Sequence, residues 1–72
     1  MEIIQVFLVD LPAKMGGLTV KNSDGSYTVF INAGLSSFAQ CEAYDHEIAH
    51  INNHDYDHIY DVSDIEWARH SA

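Results

Sequence analysis

Cys41 is the only cysteine in a chain of 72 residues, so no disulfide within the chain can hold its fold together. A chain this short sits near the lower limit for folding on a hydrophobic core alone, and such chains often recruit a disulfide, a metal or a partner as a staple. With the disulfide removed, a metal or a partner is left. Apolar residues make up 47% of the chain and aromatic residues 11%, a composition that argues against disorder. No linker, repeat or low-complexity segment divides it, and residues 1–72 read as one domain.

Eleven acidic side chains against three basic ones give a formal net charge of −8. That balance excludes direct nucleic-acid binding, because nothing could neutralise a run of phosphates. It leaves room for a basic protein surface as partner. The longest apolar run, from Val6 to Val9, is too short to cross a bilayer, and no basic segment precedes it. A lone free cysteine without an export signal makes the cytoplasm the expected compartment.

Residues 3–9, IIQVFLV, form an almost continuous apolar, β-branched run and predict a buried strand. The stretch LTVKNSDGSYTVFIN then predicts a hairpin turning at Asp24-Gly25, a pair suited to a type I′ turn. That register sets Val20 opposite Val29 and Leu18 opposite Ile31 on one face, with Thr19, Lys21, Thr28 and Phe30 on the other. A helix is expected from near Ser37, whose hydroxyl would cap it while Gln40 reaches back. It should end around Asn52-Asn53, where asparagine tolerates a left-handed terminus. Its predicted sheet-facing stripe is Cys41, Tyr44, Ile48 and Ile51. A second short helix is expected over residues 62–71, after a polar loop.

Histidines stand at 46, 50, 54 and 58, four residues apart. The first two belong to His46-Glu47-Ile48-Ala49-His50, which matches H-E-x-x-H. Two imidazoles at i and i+4 on a helix project in parallel, near enough to ligate one zinc ion. The glutamate beside the first histidine leans toward the open coordination position, where it can take a proton from the attacking water. A histidine-rich solvated face would carry the same residues, but here the pattern falls on a helix with start and stop signals, away from the core stripe. A third protein ligand is required. Glu66 and His70 lie i, i+4 on the second predicted helix, with Glu66 the first choice and His70 its alternative. Ser63 and Glu66 also spell a capping box. Asp55, Asp57 and Asp61 read as loop solvation and as the cap of that helix.

The order strand, hairpin, INAGLSSFAQCEAYDHEIAHINNHDY and then DIEWARH resembles the ImmA/IrrE family of small metallopeptidases of prophages and mobile elements. The likeness runs from the first strand to Arg69, with H-E-x-x-H as its specific part. The residues around Glu66 depart from that family's E-A-N-x-F-A pattern. The resemblance implies a gluzincin-like set, with His46 and His50 as ligands, Glu47 as catalytic base and Glu66 as third ligand. It also implies a protein substrate such as a phage or mobile-element repressor.

The expectation is therefore an α+β minimal zincin-like domain. A three-stranded, mainly antiparallel sheet would pack on the H-E-x-x-H helix, with a short C-terminal ligand helix. Zinc would serve peptide-bond hydrolysis, with Tyr56, His58 and Tyr60 as candidate oxyanion donors. A substrate segment would add as a strand to the free edge of the hairpin. The alternative is an acidic stoichiometric inhibitor of a basic host protein with a structural metal site. A third possibility, a histidine-rich carrier, would hold several loosely bound ions.

Overall fold

The computed structural model describes residues 3–61. In chain order it contains strands β1 (Ile4–Val9), β2 (Gly17–Lys21) and β3 (Tyr27–Asn32), helix α1 (Ser37–Asn52), a 3₁₀ turn (Tyr56–His58) and strand β4 (Ile59–Asp61). Among the described residues the class is α+β, one helix on one sheet. The sheet has four strands rather than three, in the order β1-β3-β2-β4. It is mixed rather than mainly antiparallel: β2 and β3 form an antiparallel hairpin, while β1–β3 and β2–β4 are parallel pairs. The second helix expected over 62–71, with Glu66 and His70, lies outside the described residues.

The parallel pairing of β1 with β3 forces the connection between β1 and β2 to cross over the end of β3. Asn32, the last residue of β3, holds that crossing. Its buried side-chain amide donates to the carbonyls of Pro12 at 3.2 Å and Met15 at 2.9 Å, and its backbone N–H donates to Gly16 O at 2.9 Å. One asparagine thus ties the loop to the end of β3, adding to the bond that Met15 N–H already makes to Pro12 O at 2.8 Å.

The hairpin forms as expected, but one residue out of the expected register. Val20 stands opposite Thr28, Thr19 opposite Val29 and Leu18 opposite Phe30. The cause is the loop. Asn22 N–H donates to Ser26 O at 2.8 Å, and Gly25 N–H donates to Asn22 O at 3.0 Å. Three residues, not two, make the turn, and Gly25 takes the left-handed position (φ 90°) that such a loop requires. Asp24 accepts from the Ser26 hydroxyl at 2.6 Å and from its N–H at 2.9 Å, which holds the Asp24 carboxyl below its usual pKa. A one-residue slip exchanges the faces of a strand. Thr19 therefore shares the helix-covered face with Val29, and Leu18 and Val20 lie on the opposite one.

On the covered face, Tyr27, Val29, Ile31 and Ile51 form the buried core, with Ile4, Ala43, Ile48 and Ile59 packed around it. β1 is not the buried strand its composition suggests. Among the described residues it lies at the sheet edge, and Val6, Phe7 and Leu8 are all exposed.

Helix α1 is capped by Ser36 rather than Ser37: the Ser36 hydroxyl accepts from Ala39 N–H at 3.2 Å. Gln40 donates its amide to Leu35 O at 3.0 Å instead of closing a capping box. The helix faces the sheet through Ala43, Glu47, Ile48 and Ile51, while Cys41 and Tyr44, expected on that stripe, are exposed. The glycines at the start of β2 bear on the rotation. A Cβ on Gly16 would stand 3.5 Å from Ala43 Cβ, and one on Gly17 only 3.1 Å from Glu47 Cγ and 3.1 Å from Phe30 O. The missing side chain of Gly17 lets Glu47 settle against the start of β2, whereas a Cβ on Gly16 would make only an ordinary contact.

Candidate metal centre

The burial of Glu47 is the first anomaly of the site. Among the described residues α1 buries two side chains, Ile51 and Glu47, and Glu47 is only 7% exposed. A carboxylate inside so small a core is costly unless it is hydrogen-bonded. Thr19, fully buried on β2, supplies the bond: its hydroxyl donates to Glu47 Oε1 at 2.8 Å. The register of the hairpin is what brings Thr19 there.

His46 and His50 occupy the adjoining side of the helix, one turn apart. Their Nε2 atoms face each other at 3.1 Å, with the rings nearly perpendicular. Two imidazoles bonded to one tetrahedral zinc at about 2.0–2.1 Å would hold their nitrogens roughly 3.3 Å apart, so the observed spacing fits a shared ion. One ligand atom from each of His46, Glu47 and His50 lies within 4.8 Å of the others, and the three form a group that could hold a metal ion. A hydrogen bond between two imidazole nitrogens at this spacing needs a proton on one and a lone pair on the other.

The end of the helix adds a residue that the sequence did not single out. Asn53 closes α1 and His54 takes the left-handed conformation (φ 54°), the role expected of asparagine. His54 N–H donates to Ile51 O at 3.1 Å and Asp55 N–H to His50 O at 2.9 Å, the paired bonds of a Schellman motif. This turn folds Asp55 back on the helix, with its Oδ2 at 3.2 Å from His50 Nδ1. In the sequence alone, Asp55 reads as loop solvation. The signal was its place five residues after His50, just past a helix stop.

A cleft of about 160 Å³ opens in front of the group, bordered by Met15, Gly17, Leu18, His46, Glu47, His50, His58 and Tyr60. His58 stacks on the His50 ring with centroids 4.7 Å apart and planes 15° from parallel. Of the three candidate oxyanion donors, His58 and Tyr60 border the cleft. Tyr56 is engaged elsewhere: its hydroxyl lies 3.3 Å from His54 Nδ1 and its ring 5.8 Å from the Lys21 ammonium. Among the described residues no helix is long and apolar enough to cross a membrane.

Comparison of the chain with protein-family models, with curated proteins and with solved structures finds no match.

Proposed function

We propose that the chain is a zinc-dependent peptidase of a minimal zincin type, acting on a protein substrate. A repressor of a phage or mobile element is the substrate class its resemblance to ImmA/IrrE metallopeptidases suggests. The supporting observation is the buried Glu47 carboxylate beside two imidazoles whose Nε2 atoms converge to 3.1 Å. A solvated histidine face would not require a buried glutamate, and a structural glutamate would not require converging imidazoles.

His46 and His50 would hold the ion, with Glu66 or His70 as the third protein ligand. Zinc in this position would supply a Lewis acid for the scissile carbonyl and would acidify the attacking water. Glu47 would take the proton from that water. Thr19 fixes one carboxylate oxygen so that the base keeps a single orientation. His58 or Tyr60, both on the cleft wall, would donate to the oxyanion.

The substrate edge differs from the one the hairpin alone implies. β3 is paired on both sides, and β4 covers β2 over Thr19–Lys21. Gly17 and Leu18 lie outside the β4 ladder and border the cleft, so an extended segment could pair there.

The test is Glu47→Gln, followed by elemental analysis and by peptide cleavage read by mass spectrometry. The wild type should carry one zinc per chain and lose cleavage on chelation. The variant should keep zinc and fold and lose at least about 100-fold in turnover. Loss of zinc from the variant, or cleavage that survives it, would sink the assignment. So would one-to-one inhibition of a basic protein by both forms without any cleavage.

A further inference from the structure

We infer that Asp55 is the positioning residue of the centre: it fixes His50 as the Nδ1–H tautomer and so presents the Nε2 lone pair toward His46. A carboxylate at neutral pH only accepts hydrogen bonds. At 3.2 Å from Asp55 Oδ2, His50 Nδ1 must therefore be the donor. A neutral imidazole carries one N–H, so His50 Nε2 is left as an acceptor. The contact at 3.1 Å between the two Nε2 atoms then has one direction, with His46 Nε2–H donating to His50 Nε2. A directed chain of hydrogen bonds runs from His46 through His50 to Asp55. To hold a metal ion between the two nitrogens, His46 would have to carry its proton on Nδ1 instead of Nε2, whereas His50 would already be in its ligating form.

Three features hold Asp55 in place. The Schellman bonds at the end of α1 fix its backbone. Its side chain is not used to cap the 3₁₀ turn that follows, so the carboxylate is free for His50. His58, stacked on His50, brings its Nε2 to 3.9 Å from the same Oδ2 and covers the open side of the pair. In metal sites, a carboxylate behind a ligating imidazole orients the ring and raises its basicity, and its loss typically weakens metal binding 10–100-fold.

The inference deepens the zinc reading of the site, yet its first readout needs no metal. ¹⁵N NMR of the imidazoles of the full chain, with chelator and at a pH where they are neutral, distinguishes Nδ1–H from Nε2–H. The wild type should show His50 as Nδ1–H and His46 as Nε2–H. Asp55→Ala should remove the His50 bias, while Asp55→Asn, which keeps an acceptor oxygen, should retain most of it. If the alanine variant fails to fold, Asp55→Ser serves the same comparison. In zinc titrations the alanine variant should bind about 10–100-fold more weakly, and the asparagine variant should lie between it and the wild type. An Nε2–H tautomer at His50 in the wild type, an unchanged ratio in Asp55→Ala, or unchanged zinc affinity would overturn the role. A wild type that binds no zinc would defeat the metal reading, and the tautomer comparison would still decide what Asp55 does.

Discussion

The two flanks of the sheet use polarity in opposite ways. On the β1 flank, a strand without a single charge leaves Val6, Phe7 and Leu8 exposed, Leu8 to 60%. On the β2–β4 flank, Thr19 and Glu47 are buried against each other and His50 is held by Asp55. If the hydrophobic effect alone had arranged this chain, the assignment would be reversed. Among the described residues no buried side-chain polar atom lacks a partner, so the polar flank is arranged in detail rather than merely tolerated. Burying polar groups in a small core costs stability, and their concentration beside two convergent imidazoles makes that flank the candidate site.

The largest effect should come from the imidazoles. With free zinc at 100 times Kd, ion binding to the folded state should add about 2.7 kcal/mol. Replacing both His46 and His50 by alanine should abolish that increment, so that melting curves with and without chelator coincide. A wild type whose melting is itself indifferent to chelator would remove the metal from the comparison.

Next in size is the partner of the buried Glu47 carboxylate. Thr19→Val keeps the shape of the side chain and withdraws the donor from Glu47 Oε1. The expected loss is about 1–3 kcal/mol in urea denaturation, with Thr19→Ser recovering much of it. A valine variant as stable as the wild type would show that Glu47 is not held from below.

The smallest effect belongs to the other flank. Leu8→Lys on β1 should change stability by no more than about 0.5 kcal/mol and leave zinc affinity untouched. Lysine on an edge strand should also lower any tendency to aggregate, measurable by light scattering. A large loss of stability there would mean that β1 is not the passive edge it resembles.

Several of these features were legible in the sequence and others were not, for identifiable reasons. The two hairpin strands and the extent of α1 follow from alternation, the Asp24-Gly25 pair and the asparagines after His50. The pairing of His46 with His50 follows from helical spacing alone. The register of the hairpin does not, because Asp-Gly suits a two-residue loop and equally a three-residue loop with glycine in the left-handed position. That ambiguity hid Thr19, which the shorter loop would turn away from the helix. β4 spans Ile59–Asp61, too short a run for alternation to reveal. The edge position of β1 depends on strand order, which local pattern cannot report. Asp55 was hidden by the ordinary look of an acidic residue in a polar loop.

Loops at hairpin tips are usually where insertions and deletions are best tolerated. The loop between Lys21 and Tyr27 should behave differently, although it lies at the far end of the hairpin from the cleft. Adding or removing one residue there would either rebuild the bulge or pass the change down β2, trading Thr19 for Leu18 or Val20 beneath Glu47. The length of this turn should therefore be inherited together with the centre. Lineages that keep Glu47 should keep the turn, and grafting the helix onto another hairpin will require matching the phase of the loop before matching any side chain.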